Sequence, residues 1–193
     1  MGNLFIGLLF GALAGFYGGW VDLLLFRISE IFTGIPNIIV LTVAIIYAGH
    51  ASITTFIFAF MFTGWVFFFR TTRIQIYRFK NREFVLASKT MGASDTRLIM
   101  KHIFPIAVGT LITLFALTVP TNIMTESGMA FLGLGLSPPT PSVGTMLLDG
   151  QNHLITFPYR IVPPAFIISM LMISFNLFGN GLRDAFDPSL RGT

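Results

Sequence analysis

The side chains that could do chemistry in this 193-residue chain are few and scattered. His50, His102 and His153 fall in separate loops without ligand spacing, and there is no cysteine to supply a thiolate ligand, a thiol nucleophile or a disulfide. The residues therefore suggest no metal site and no cofactor. Ser127 precedes Gly128 but lacks the Gly-x-Ser-x-Gly frame of a nucleophile elbow, and no base can be assigned to it, so an intramembrane protease reading is weak. No phosphate-binding Gly-rich loop ending in Lys-Ser/Thr occurs, and Gly179-Asn180-Gly181 does not follow a strand, so nucleotide chemistry belongs to another chain. Glu126 is the most suggestive ionisable residue. It either faces a cavity or partner, as intramembrane charges tend to, or stands in interfacial water.

Positive charge, by contrast, is concentrated. Eight of the 12 Lys and Arg residues (Arg70, Arg73, Arg78, Lys80, Arg82, Lys89, Arg97 and Lys101) lie between Arg70 and Pro105, against two acids, Glu83 and Asp95. The rest of the chain is apolar: 54% hydrophobic, 10% charged, with 22 Phe. That composition fits a lipid solvent, and the charge-free run 31–69 is too long for a core helix but fits two spans of about 20 residues. The net charge of +4 is no argument for nucleic acid, because the cations cluster at a membrane border and no nucleic-acid module accompanies them.

The elements that must position this block are apolar helices, so the fold class is an all-α membrane protein, a single transmembrane domain over 1–193. Five spans are expected, at about 4–17, 27–48, 52–69, 103–125 and 161–178, with a loop at 70–102 and a second long connection at 126–160. The first is shorter than a bilayer crossing and reads as a span whose beginning is missing. Gly49-His50 makes a tight turn, and Pro105 and Pro120 should bend the fourth span. Glycines at 11, 15 and 19 have the spacing of close helix packing. The positive-inside rule puts the basic block in the cytoplasm and 126–160 outside; parity then makes the turn at 18–22 and the tail cytoplasmic.

Within the block, Asn81 can cap a short helix over about 82–91 that carries Glu83 in its first turn, and Gly92 suits the left-handed residue after it. Phe84, Ala87, Ser88 and Met91 fall on one face, with small residues where another backbone could approach. Ser94 can cap a second helix, with Asp95 near its start, running through Arg97, Ile99 and Ile103 into the fourth span. Periodicity alone is equally compatible with a helix on the lipid surface and with a docking element. Outside, Pro138-Pro139-Thr140-Pro141 should be stiff, and 142–157 could fold over a pore mouth, meet another protein, or merely connect two spans.

The stretch from Glu83 to Asp95, with Ala87-Ser88, Met91-Gly92-Ala93 and, further on, His102-Ile103-Phe104-Pro105, resembles the EAA loop of binding-protein-dependent ABC importer permeases, more narrowly the dipeptide and oligopeptide (DppC/OppC) group. Three more stretches carry the same resemblance: Gly11 to Asp22, Glu126 to Gly135 with Pro138 to Pro141, and Gly179 to Pro188. It covers nearly the whole chain. Leu86 stands where the family has its eponymous glutamate, and Ser88 stands for the second alanine. Members of this group usually have six spans, one of them ahead of the position of Met1.

The resemblance implies a type I permease fold in a multi-pass cell-membrane protein, a transport subunit rather than an enzyme, with a cytoplasmic coupling loop and C-terminus. The implied partners are ABC ATPase subunits, a second permease subunit, an extracytoplasmic substrate-binding protein, the bilayer and a peptide substrate. The implied ATPase contacts are Glu83, Phe84, Ala87, Ser88, Met91, Gly92, Ala93 and Asp95. Nickel or another small solute is the alternative cargo, and a channel or membrane enzyme working without an ATPase a more distant one.

Overall fold

A computed structural model describes residues 2–137 and 139–186; Pro138 of the Pro-rich stretch and the Asp187-Pro188 end of the tail motif lie outside these. Nine α-helices are described: α1 (Gly2–Tyr17), α2 (Gly19–Gly34), α3 (Asn37–Ala48), α4 (Ile53–Phe79), α5 (Glu83–Thr90), α6 (Asp95–Arg97), α7 (Phe104–Phe131), α8 (Val143–Asn152) and α9 (Val162–Phe186). A π-helical turn, Leu98–Ile103, joins α6 to α7, and a 3₁₀ turn, Pro158–Ile161, leads into α9. Ile53–Phe79, Asp95–Phe131 and Pro158–Leu182 are each long and apolar enough to cross a membrane; α2 and α3 qualify only together, as a bent pair with the form of a broken span or a re-entrant loop, and α1 is a shorter apolar helix.

The helices differ from the sequence expectations at identifiable residues. The expected helix over 27–48 starts earlier, at Gly19, and is interrupted, because Pro36 lacks an N–H and pushes Ile35 into extended backbone (φ −93°, ψ 116°). The turn at 18–22 shrinks to Gly18, at φ 67°, and Asp22 lies in the first turn of α2. α4 continues to Phe79, so the first ten residues of the expected loop 70–102 are helical. Pro120 sits inside α7 without ending it. Pro105 follows the π turn, in which the Phe104 N–H donates five residues back to the Ile99 carbonyl, a wider winding next to a residue that cannot donate.

The chain forms two compact units. Of the described residues, the first contains 2–35, Met61–Thr113 and 183–186. In it α1 lies against α4 at backbone distance. A Cβ added at Gly7 would sit 2.8 Å from the Phe69 nitrogen, at Gly11 2.7 Å from the Phe69 carbonyl oxygen, and at Gly15 2.8 Å from the Arg73 carbonyl oxygen. The packing stripe is therefore Gly7, Gly11 and Gly15; Gly19, expected in it, has nothing within 4 Å and instead adopts φ 52° at the start of α2. Small residues at every fourth position let two helix backbones touch where no hydrophobic gradient drives them together. Trp65, Val66, Phe69 and Ala14 form the adjoining core, with Phe10, Phe26 and Phe32 around it.

An ion pair ties α2 to the same helix. Arg73 donates from Nε and Nη2 to the two carboxylate oxygens of Asp22, the second at 2.6 Å, and its guanidinium lies 4.9 Å from the centre of the Phe26 ring. Bidentate geometry and an aromatic floor suit an arginine that must leave bulk water.

The second unit contains Pro36–Phe60 and Leu114–Leu182. Leu41, Phe56, Ala59 and Met129 form its buried cluster, and the Ala51 amide donates to Ser137 Oγ at 3.2 Å. Gly49, at φ 76°, closes the expected turn between α3 and α4. The connection 126–160 carries much helix: α7 reaches Phe131, and α8 opens with a capping box in which Ser142 and Thr145 satisfy each other's amides. Glu126 accepts from Ser142 Oγ at 2.8 Å, so its carboxylate lies at the N-terminus of α8, where the helix dipole favours negative charge. α8 packs closely on α7 at Gly144, where an added Cβ would sit 2.8 Å from the Ser127 α-carbon, and Ser127 is buried with its hydroxyl without a partner among the described residues.

Two stability outcomes follow. Gly11→Leu forces atoms into the α4 backbone and should lower stability by about 1–3 kcal/mol, whereas Gly128→Ala, in open space, should not, as measured by thermal unfolding in detergent. Asp22→Asn or Arg73→Gln alone should each cost about 2 kcal/mol, since each strands a half-shielded polar partner. The double variant should cost clearly less than the sum, which a double-mutant cycle reads directly.

Candidate functional site

The segment between α4 and α7 is held by a small apolar anchor. Ile76 from α4, Val85 from α5, Leu98 and Ile103 from the π turn are all buried, and Ala12, Phe16, Phe79 and Ala93 pack against them. Lys80 Nζ reaches the Phe16 carbonyl at 3.4 Å, at the end of α1. α5 thus rests on the foot of the α1–α4 pair, in the same unit.

The ends of α5 are set by backbone rather than by the side chain expected. Its N-cap is Arg82, which makes no side-chain cap, and not Asn81; Glu83 nevertheless occupies the first turn. Its C-terminus is a Schellman motif: the Gly92 amide donates to the Lys89 carbonyl at 3.0 Å and the Ala93 amide to the Ser88 carbonyl at 3.1 Å, with Gly92 at φ 85°. A Cβ at Gly92 would meet nothing within 4 Å, so the constraint there is conformational, not steric crowding. Ser94 caps α6, accepting from the Arg97 amide at 3.4 Å.

The predicted contact face is divided by this arrangement. Ser88 is buried with Val85 and donates to the Phe84 carbonyl at 2.9 Å, which places it on the anchored side. Phe84, Ala87 and Met91 remain exposed, Met91 at 80%, and Leu86 joins them at 48%. Glu83 and Gly92 are exposed beside them; Ala93 and Asp95 are half-buried. The exposed surface is an apolar patch on a short, firmly terminated helix, edged by Glu83 and Lys89. Such a surface has no chemistry of its own, but it has the form of a helix ready for a groove.

Val85 was not singled out by sequence, because it stands between Phe84 and Leu86 and three consecutive apolar residues do not tell which of them faces inward; its spacing of three from Ser88 was the available clue. The Asp22–Arg73 pair was equally silent, although Asp22 is the first acid in an otherwise apolar opening. Elsewhere, His50 borders an open cleft of about 510 Å³ with Tyr47, Thr54, Thr55 and Phe58, and among the described residues no three His, Asp or Glu side chains are grouped to hold a metal.

Residues 7–192 match the family model described as "Binding-protein-dependent transport system inner membrane component". The oligopeptide transport system permease protein OppC of Bacillus subtilis is 41% identical over 98% of this chain and 62% of its own length. The dipeptide permease protein DppC of the same organism is 41% identical over 98% of this chain and 59% of its own length. DppC of Lactococcus lactis is 38% identical over 96% of this chain and 54% of its own length. The chain spans less than two thirds of each of these relatives. With a multi-helix apolar architecture and a match across nearly its whole length, it belongs to the family of binding-protein-dependent transport system inner membrane components.

Proposed function

We propose that this chain is a permease subunit of an ATP-driven importer for dipeptides or oligopeptides, forming part of the translocation path and taking its power stroke from separate ATPase chains through α5. Family membership and the likeness to peptide permeases support the class. The observation that carries the coupling role is the division of α5 into an anchored side, Val85 and Ser88, and an exposed apolar side, Phe84, Leu86, Ala87 and Met91. A helix so held transmits a push to the α4 and π-turn residues that hold it, rather than yielding. The eight cations clustered at Arg70–Lys101 support a cytoplasmic position for this face under the positive-inside rule, where an ATPase groove would receive it. A second permease subunit and an external binding protein complete the assembly in this reading. Specificity for peptide over nickel or another solute resides chiefly in that binding protein.

Peptide-stimulated ATP hydrolysis by the assembled transporter checks the reading, and competition between peptide and nickel for the binding protein separates the two cargoes. Phe84→Ala with Met91→Ala should weaken retention of the ATPase chains about tenfold or more, the loss of two buried apolar contacts, without lowering thermal stability. Gly92→Val should uncouple ATP hydrolysis from uptake, because a β-branched residue resists positive φ, while Gly92→Asn retains most coupling. Unchanged transport in Gly92→Val would count against the docked helix.

A further inference from the structure

We propose that the loop tip 154–159 is a membrane-interface anchor, with the boundary between phospholipid headgroups and acyl chains as its partner, and that it sets the depth at which α8 is held. Ile155 is 100% exposed, Leu154 47% and Tyr159 66%, an unusual cluster for a tip surrounded by water. The tip runs without interruption into Pro158–Leu182, one of the three stretches able to cross a membrane. The 25 residues of that stretch exceed the roughly 20 a crossing needs, so its first turn falls at headgroup level, and Ile155, three positions earlier, lies within about 10 Å of that turn.

The surrounding chemistry is that of an interface. Phe157 and Tyr159 meet edge to face at 6.1 Å, and the Arg160 guanidinium lies 5.0 Å from the Phe157 ring centre. Aromatic rings collect at headgroup level and a long cationic side chain can lie with its stem on them and its head in the phosphate layer. The tip is also coupled to α8. Asp149 pairs with Arg160 at 3.5 Å and with His153 at 3.3 Å, and Gly150 leaves only 2.9 Å between the position of a Cβ and the Ile161 α-carbon. A tip fixed in the interface therefore fixes the C-terminal end of α8.

The chain has no cysteine, so single cysteines report cleanly on it. Spin labels at Ile155→Cys, Leu154→Cys and Asn152→Cys, in the complete transporter in lipid nanodiscs, would be compared for collision with oxygen and with a water-soluble nickel chelate, against a complex with no introduced cysteine. Positions 154 and 155 should collide with oxygen severalfold more than with the chelate, and 152 the reverse. Chelate-dominated relaxation at 155 would overturn the proposal by placing the tip in water. Suppression of both collisions would overturn it in favour of a protein partner. Neither outcome bears on peptide transport, so the anchor can fail while the permease reading stands.

Discussion

The close contact between α1 and α4 is the constraint on which the first unit depends. Gly7, Gly11 and Gly15 bring one helix backbone onto another with no side chain between them, and any Cβ there meets α4 atoms at 2.4–2.8 Å. In a bilayer, where apolar burial gives little preference for helix over lipid, contact at this distance is what holds two helices together. The consequence is felt a turn further on. The foot of the pair, Ala12 and Phe16 with Ile76 and Phe79, is the surface on which Val85 and Ala93 rest, so α5 is oriented by a contact made inside the apolar region.

The same logic explains why the exposed apolar area is distributed as it is. On α9, Phe166, Ile173, Leu177 and Phe178 are all exposed, and the surface of a helix in lipid can be as apolar as its interior. On α5 the exposed apolar residues stand beside Glu83 and Lys89 in a segment dense with charge, where lipid is a poor solvent and a protein groove a good one. In the second unit, Glu126 and Ser142 fasten one end of α8 and Gly150 with Asp149 the other. Both non-spanning helices are thus fixed at defined points rather than draped over the surface.

What could be read from the sequence was what depends on local rules. Gly92 announced left-handed backbone, Gly49 a tight turn, Ser94 a cap, and the unbroken apolar runs their helices. What could not be read required knowledge of neighbours. Nothing at Ser88 distinguishes the buried side of α5 from its exposed side, so the face Phe84, Ala87, Ser88 and Met91 was drawn through both. Gly19 matches the packing period as well as Gly7 does, but it is spent on a turn. Pro36 separates α2 from α3 within an apolar run, whereas Pro120, in an equally apolar run, is absorbed by its helix. Glu126 shows the limit most plainly, since its partner Ser142 lies 16 positions away across a turn and the start of a helix.

In the proposed transporter, α5 presents Phe84 and Met91 to an ATPase chain while Val85 and Ser88 face its own protein. Site-directed crosslinking in membranes tests it most directly: cysteines placed one at a time at 84, 85, 88 and 91, joined by a short bifunctional reagent to cysteines lining the ATPase groove. Efficient crosslinks are expected from 84 and 91, with a yield that changes with ATP, and none from 85 or 88. Crosslinks from 85 and 88 instead, or from no position in an assembly that transports, would contradict it.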